Sequence, residues 1–271
     1  MSRVPVNLLV LIVLVALAGG CERGPAPPDP TPDAATTASA PPPPFALTDV
    51  VETKPDYIIG ISYPKSAEGH PGLAKALQAY ADAARGKLMQ AVAAKGQEPG
   101  APFDLSLQFT GLVDTPALVA VAADGSSYTG GAHGNPLVAR FVWLPAEGKL
   151  LTAQALIPAA TGWQAIADAC REQLMTMLSQ RLEGDDLAPG DYAEQLRMGS
   201  QSIADGTAAD ARNFAQFEPV VDADGRIRAL RFVFPPNQVG SYADGTLAVD
   251  VPAATLLPHI APRYRTMFRG G

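Results

Sequence analysis

Residues 103–113 read FDLSLQFTGLV, and apolar and polar side chains alternate along this stretch. Because successive side chains of a strand point to opposite faces, the alternation predicts a strand with one buried and one solvated face. Half-exposed strands of this kind are typical of antiparallel sheets. Two more β-rich runs follow at once, at residues 117–128 and 137–144, so the three runs together predict an antiparallel meander.

Helical patterns flank this meander on both sides. Residues 73–94 and residues 163–182 each place apolar side chains on one face at helical spacing. The remaining predicted elements are a strand at 57–63, a weaker helix at 189–198 followed by a loop at 199–202, a hairpin at 214–221 and 226–235, a last strand at 246–251 and a terminal helical region at 253–268.

The order of these elements indicates the fold class. A strand and a helix precede the meander, and two helices precede the later strands. This order predicts an α+β fold in which antiparallel sheets pack with helices, rather than alternating β-α-β units. Because each half places helix before sheet, we expect two similar-sized subdomains, one over residues 46–150 and one over residues 151–268.

The first twenty residues have the character of an export signal. Arg3 supplies a positive charge, residues 8–17 form an unbroken apolar run, and Ala18-Gly19-Gly20 are small residues suited to a cleavage site. The run is shorter than the roughly 20 apolar residues that span a bilayer. Cys21 follows directly and resembles the acylated Cys of the bacterial lipobox, although Ala18 stands where Leu is usual. We expect a lipoprotein signal peptide at 1–20 and lipid attachment at Cys21; an ordinary secretory signal is the alternative.

Residues 21–45 predict a Pro/Ala-rich tether between the anchor and the folded part. Nine of the twenty residues at 25–44 are Pro, a composition that cannot bury a core and favours extended polyproline II. At about 3.1 Å per residue, the tether would hold the folded part up to roughly 60 Å from the membrane. Lipoproteins with Glu after the acylated Cys, as Glu22 here, are commonly sorted to an outer membrane. The predicted location is therefore the cell envelope, on the periplasmic side of the outer membrane.

Net charge limits the classes of expected partner, and cysteine content limits the expected disulfides. Removal of the signal, which carries Arg3 and no acid, makes the formal charge −8 instead of −7. An acidic chain argues against nucleic acid and anionic lipid surfaces as partners and is compatible with a basic protein. Cys170 would be the single free thiol, so no intrachain disulfide is expected. It falls on a helical stripe and is predicted to be a buried small hydrophobe; the stripe comprises Trp163, Ile166, Ala167, Cys170, Leu174, Met177 and Leu178.

A glycine-rich loop between two meander strands is the first candidate site. Residues 127–136 read SYTGGAHGNP. Glycines permit positive φ, successive amides in such a turn can form a concave anion site, and His133 can titrate or bind metal. One interpretation is a loop that grips a carboxylate, a phosphate or a glycan; the other is a structural hairpin loop. The candidate binding residues here are Tyr128, Thr129, Gly130, Gly131, His133 and Asn135.

No pattern typical of catalysis or metal binding accompanies this loop. The other histidines, His70 and His259, are isolated, and the chain has no HxxxH, HExxH, CxxC or Gly-x-Ser-x-Gly spacing. The acidic pairs Asp185-Asp186 and Asp222/Asp224 lie in predicted turns without apolar surroundings that would raise a pKa for acid catalysis. We therefore assign no catalytic, metal-binding or cofactor-binding residue and expect a protein that is not an enzyme.

A second candidate loop precedes the last strand. Residues 234–245 read FPPNQVGSYADG, in which prolines end a strand and glycines shape a long loop. Gln238 and Tyr242 are the candidate binding residues, because Tyr is the kind of amphipathic side chain that anchors interfaces. The alternative is that Tyr242 fastens its own loop.

These two loops, in this order, resemble the paired extracytoplasmic domains of the RsiV/PdaC-type family. The matching positions are Tyr128 to His133 in the first loop, and Phe234, Pro235, Val239, Tyr242, Ala243 and Gly245 in the second. The resemblance covers roughly residues 48–260 and departs at Asn237, where members often carry Tyr. It implies an α+β fold outside the cytoplasmic membrane. In the anti-sigma members this region binds lysozyme, and in the deacetylase members it accompanies a separate catalytic domain that acts on peptidoglycan.

Neither the sigma-binding segment nor the deacetylase domain is recognised in this sequence, so the resemblance implies a cell-envelope recognition module rather than either activity. The first hypothesis is a lipid-anchored, non-enzymatic protein that binds a lysozyme-like muramidase or peptidoglycan. The second is a structural or assembly lipoprotein that docks on another envelope protein. The third is an envelope hydrolase that uses His133 with a nearby carboxylate.

Overall fold

In the described part of the chain, six strands form the larger of two sheets and follow one another in chain order. The computed structural model describes residues 46–95 and 100–271, which belong to one compact unit. The predicted signal peptide, Cys21 and tether lie outside the described residues. The strands are β1 (Val50–Thr53), β2 (Tyr57–Ser62), β3 (Phe103–Asp114), β4 (Val119–Tyr128), β5 (Asn135–Leu144) and β6 (Lys149–Leu150), each paired with the next.

One pair in this sheet differs from the predicted arrangement. β2 and β3 run parallel, and helix α1 (Pro71–Lys95) lies between them in sequence, so these three elements form a β-α-β unit. The helix returns the chain to the end at which β2 began, which sets both strands in the same direction. The other pairs of the sheet are antiparallel, including the predicted meander β3-β4-β5.

The second half of the chain places its helices before its strands. The helices are α2 (Ala153–Leu156), α3 (Ala160–Gly184) and α4 (Pro189–Gly206). They precede an antiparallel three-stranded sheet, β7 (Phe217–Val221), β8 (Ile227–Phe234) and β9 (Leu247–Pro252), which short helix α5 (Ala253–Leu256) follows. The predicted α+β class with mostly antiparallel sheets is confirmed. None of the described helices has both the length and the apolar character needed to cross a membrane.

The first core lies between α1 and the larger sheet. Leu105, Leu107 and Phe109 of β3 are buried there, while the residues between them are exposed, so the period-two prediction for this strand is confirmed. The buried face of α1 that meets them consists of Leu73, Leu77, Ala81, Ala84 and Leu88.

The second core joins both halves of the chain. Ala120 of β4 and Val142 of β5 belong to it, whereas Val119 and Val121 of β4 belong to the first core. β4 is therefore buried on both faces, and the second half covers the face of the larger sheet opposite α1. The largest fully buried side chains of this second core are Trp163, Phe214, Phe232, Phe234, Tyr264 and Phe268.

Helix α4 is longer than the sequence pattern predicted. Residues 199–202, predicted to be a loop, are helical, and the helix continues to Gly206. The hydroxyls of Ser200 and Ser202 donate to the carbonyl oxygens four residues earlier, at 2.6 and 3.2 Å, which lets these polar residues remain inside the helix. A Cβ on Gly199 would lie 2.7 Å from Leu178 Cδ2, so the glycine serves close packing of α4 on α3 rather than a chain break.

Candidate binding surface

The two candidate loops lie side by side. The first joins β4 to β5, and the second joins β8 to β9. The phenolic hydroxyl of Tyr242 donates to the carbonyl oxygen of Gly134 at 2.9 Å, and the Tyr242 ring stacks on the His133 imidazole with centroids 4.8 Å apart and planes inclined by 29°. We call this surface, formed by residues 128–135 and 237–245, the loop junction.

The glycine-rich half of the loop junction depends on its glycines. Gly130 has φ 96° and Gly131 has φ 94°, values that favour glycine because a Cβ would clash with the backbone. The hydroxyl of Tyr128 donates to the Gly131 carbonyl oxygen at 3.1 Å and ties the loop to the end of β4. His133 and Asn135 are exposed, and Thr129 is partly exposed. The loop thus presents backbone and small polar groups to solvent.

The Tyr242 half is held by a short capped turn. Residues Tyr242–Asp244 form a 3-10 helix, and Asp244 Oδ2 accepts from both the backbone N–H and the hydroxyl of Ser241, at 2.7 and 2.9 Å. Asp244 also forms an ion pair with Arg181 of α3. The turn is therefore fixed to the helix layer, and the Tyr242 ring projects from a supported position with 37 % of its surface exposed.

Gln238 has a different environment from the other candidates. Its side-chain amide donates to the carbonyl oxygens of Gly206 at 3.0 Å and Asn213 at 2.8 Å. Both N–H groups of the amide are thus engaged within the fold. A Cβ on Gly206 would lie 1.9 Å from the Gln238 carbonyl oxygen, so the end of α4 and the start of this loop are in direct backbone contact.

A groove beside the loop junction was missed by sequence reasoning. It has a volume of about 630 Å³ and lies between α3, α4 and residues 239–247. We call it the α3–α4 groove. Met177 on α3 and Met198 on α4 face it, and they are 39 % and 49 % exposed. Met177 was predicted to share the buried stripe of Cys170, but the structure leaves it at the groove while burying the other members of the stripe.

The sequence contains a weak signal for the groove. Gln195, Met198, Gly199, Ser202 and Ile203 line it from α4 at intervals of three and four residues, which is the spacing of one helix face. Because the predicted helix ended at residue 198, Gly199, Ser202 and Ile203 were not recognised as part of the same helix face. The matching residues of α3 have the pattern of core residues, because a partly exposed apolar face and a buried one have the same period.

Two further findings concern the side-chain chemistry of the described residues. Cys170 is fully buried, as predicted, and burial raises the pKa of its thiol to about 12. Among residues 46–95 and 100–271, no three His, Cys, Asp or Glu side chains come together as a potential metal site.

The structure resembles solved proteins in fold. A DUF3298 family protein from Pseudomonas aeruginosa PAO1 aligns with a TM-score of 0.54 and 14 % identity, over 83 % of this chain and 94 % of that chain. A DUF3298 member from Bacteroides fragilis NCTC 9343 aligns with a TM-score of 0.45 and 16 % identity, over 80 % of this chain and 93 % of that one. No family model and no curated protein sequence matches the chain.

At such low identity, the first of these similarities shows the fold alone, which is that of a DUF3298 protein, named for a domain of unknown function. The finer RsiV/PdaC-type assignment has no support from these comparisons and stays a prediction.

Proposed function

We propose that this protein is a non-enzymatic binding module of the cell envelope that recognises a cell-wall-related partner through the loop junction. The observation that carries the proposal is the contact of Tyr242 with His133 and Gly134. This contact joins two loops from distant parts of the sequence into one exposed surface, which carries the stacked rings of Tyr242 and His133 as an aromatic pair. Aromatic side chains with a polar tip are the residues that most often anchor recognition surfaces.

The chemistry of the loop junction favours peptidoglycan as the partner. Asp244 is the one charged residue in segments 128–135 and 237–245, and its carboxylate is occupied by Ser241 and Arg181. A surface of aromatic rings, small polar side chains and backbone groups suits an uncharged, hydroxyl-rich ring such as a glycan sugar. A sugar presents an apolar face to an aromatic ring and hydroxyls to the neighbouring polar groups.

A lysozyme-like muramidase is the second candidate partner. The observation that favours it is the acidic character of the whole chain, with a formal charge of −7 and a pI near 4.9. Such a charge accelerates encounter with a basic protein through long-range attraction, and the effect weakens as salt screens it. The loop junction itself contributes little to this attraction, so binding of lysozyme would involve other surfaces as well.

The location of the module is part of the proposal. Cys21 would carry the lipid anchor and the segment 21–45 would serve as the tether, on the periplasmic side of the outer membrane. The support comes from the sequence pattern, since these residues lie outside the described part. Mass spectrometry of the protein isolated from membranes tests it: acyl chains on an N-terminal Cys21 are expected, and an unmodified thiol would contradict the anchor.

Titration calorimetry with soluble peptidoglycan fragments and, separately, with lysozyme at low salt tests the binding function. We expect Tyr242→Ala and His133→Ala to weaken binding of the fragments by about tenfold or more, because the aromatic pair is lost. Val51→Ala is the matched control, since Val51 is an exposed apolar residue of β1, at 86 % exposure. Binding that is absent, or that falls equally in the control, would overturn the proposal.

Further experiments distinguish this binding function from the two alternatives, a hydrolase and an assembly factor. If the protein were a hydrolase, it would release reducing ends from peptidoglycan, and His133→Ala would stop that release while leaving the fold intact. If it were an assembly factor, crosslinking in cells would capture a resident envelope protein instead of wall material. Either result would replace the proposed function.

A further inference from the structure

We propose that the α3–α4 groove is a second binding site, which takes a single-chain amphiphile with an anionic head group. This inference is independent of the proposed function, because the groove is lined by other side chains than the aromatic pair of the loop junction. The two sites share one loop, since residues 239–241, 243 and 244 of the loop junction also line the groove.

The dimensions of the groove suit a small molecule. Its volume of about 630 Å³ lies within the roughly 300–1,000 Å³ range of ligand pockets in proteins. Its two long walls are faces of α3 and α4, which approach closely where Gly199 packs on Leu178. Residues 239–247 close the third side. An elongated molecule can lie between the two helices, whereas the volume is too small for a folded partner.

The walls are suited to an alkyl chain. Apart from Arg181 and Asp244, the lining consists of apolar, glycine or uncharged polar residues. Met177 and Met198 leave large parts of their side chains in water. Covering such apolar surface removes it from water, which favours binding. Methionine is also flexible and polarizable, so a methionine-lined wall adapts to chains of different length and shape.

The charges at the rim indicate the sign of the head group. Asp244 is 14 % exposed at its side chain, and its oxygens accept from Ser241 and Arg181. The Arg181 side chain is 43 % exposed, about three times the exposed fraction of the Asp244 side chain. A molecule arriving from solvent therefore meets the cation of this ion pair rather than the anion. A guanidinium binds carboxylate and phosphate groups through paired N–H donors.

Dodecanoate is the probe for this site, used below its micelle concentration. Calorimetry on the full-length protein is expected to show saturable binding of one dodecanoate per chain. Met198→Trp should weaken binding by about tenfold, because the indole fills the space between the helices. Met177→Glu should weaken it comparably by placing an anion on the wall, and it provides a second variant if the first folds poorly.

The control is matched in exposure. Leu112 of β3 is 39 % exposed, as Met177 is, and it does not line the groove. Leu112→Glu should leave dodecanoate binding within about twofold, and so should His133→Ala, which alters only the loop junction. Circular dichroism establishes that each variant is folded. Absence of saturable binding, or an equal loss in Leu112→Glu, would overturn the site.

The head-group assignment has its own test. Dodecanol and dodecyltrimethylammonium carry the same chain with a neutral or a cationic head. We expect dodecanoate to bind about fivefold or more tighter than either, and Arg181→Gln to remove that preference. If Arg181→Gln weakens both ligands equally, the residue supports the groove structurally and the anionic head group is excluded.

Discussion

Arg140 of β5 donates from Nε to Glu218 Oε2 of β7 at 2.8 Å, which joins the two sheets by an ion pair that is nearly buried. The two side chains are 8 % and 12 % exposed. Arg140 Nη1 also donates to Asp124 and to the carbonyl oxygens of Ala123 and Ala139, so Nε and Nη1 are both engaged. Glu218 has a second cation, Arg231, at 3.6 Å.

Removing one member of this pair should destabilise the protein. Arg140→Met leaves the Glu218 carboxylate with the more distant Arg231 alone, and we expect the free energy of unfolding to fall by about 2–4 kcal/mol. The double variant Arg140→Met/Glu218→Met should lose less, because no uncompensated charge remains. Urea denaturation measures both. Arg212→Met, which breaks an exposed pair with Asp210, is the control and should change little. A double variant at least as unstable as Arg140→Met would contradict this account.

Because Gly206 contacts the Gln238 backbone, replacing glycine by alanine should have different consequences for stability at the two ends of α4. Gly206→Ala forces a Cβ against the Gln238 backbone, and we expect a loss of about 1–3 kcal/mol of unfolding free energy. Gly190 lies near the other end of α4, where an added Cβ would meet no atom within 4 Å. Gly190→Ala should therefore be neutral or stabilising by up to about 1 kcal/mol. Thermal and urea unfolding compare the two alanine variants directly. Equal effects would show that the backbone contact has no energetic role.

Loss of one hydroxyl should loosen the loop junction without unfolding the protein. Tyr242→Phe keeps the ring on His133 but removes the hydrogen bond to Gly134, at a cost of about 0.5–1 kcal/mol. Amide hydrogen exchange is expected to accelerate in both loops. Tyr128→Phe removes the bond to Gly131 and should accelerate exchange in the glycine-rich loop alone. Unchanged exchange in Tyr242→Phe would mean that stacking suffices to hold the two loops together.

Cys170 should be inert in the native protein. In a Cys21→Ser background, a thiol reagent at about pH 8 is expected to leave native protein unmodified and to label Cys170 after denaturation. Burial raises the pKa of this thiol from 9.0 to about 12, so the unfolded chain loses its proton first as the pH rises. The stability that the protonated thiol contributes is therefore complete below pH 9 and is lost between pH 9 and about 12. Cys170→Ala should flatten that alkaline decline, and an unchanged decline would assign it to other groups.

Local periodicity predicted most of the elements, because it reports which faces are buried. The alternation in β3 predicted the strand correctly, and the apolar stripe of α3 correctly placed Cys170 in the core. Periodicity failed where burial depends on another part of the chain. Met177 has the same spacing as its buried neighbours, but its exposure is set by where α4 lies. The parallel pairing of β2 with β3 also depends on the path of α1 and has no local signature.

In the candidate site too, local features were predictable from the sequence and contacts between distant segments were not. Both loops were recognised from their glycines and aromatic residues, and the positive φ of Gly130 and Gly131 follows from that composition. Their adjacency is a contact between residues 108 positions apart, which no local pattern encodes. The α3–α4 groove depends on the full length of α4 together with the position of residues 239–247, so it could be recognised only in the three-dimensional structure.

The second core draws Ala120 and Val142 from the first half of the chain and Trp163 and Phe232 from the second. A recombination event near residue 150 would leave each product with an uncovered apolar face, since neither half carries the surface that closes it. Descendants that inherit one half without the other are therefore expected to aggregate or to acquire a substitute cover. Because of this shared interior, we expect evolution to retain the two sheets together rather than separately.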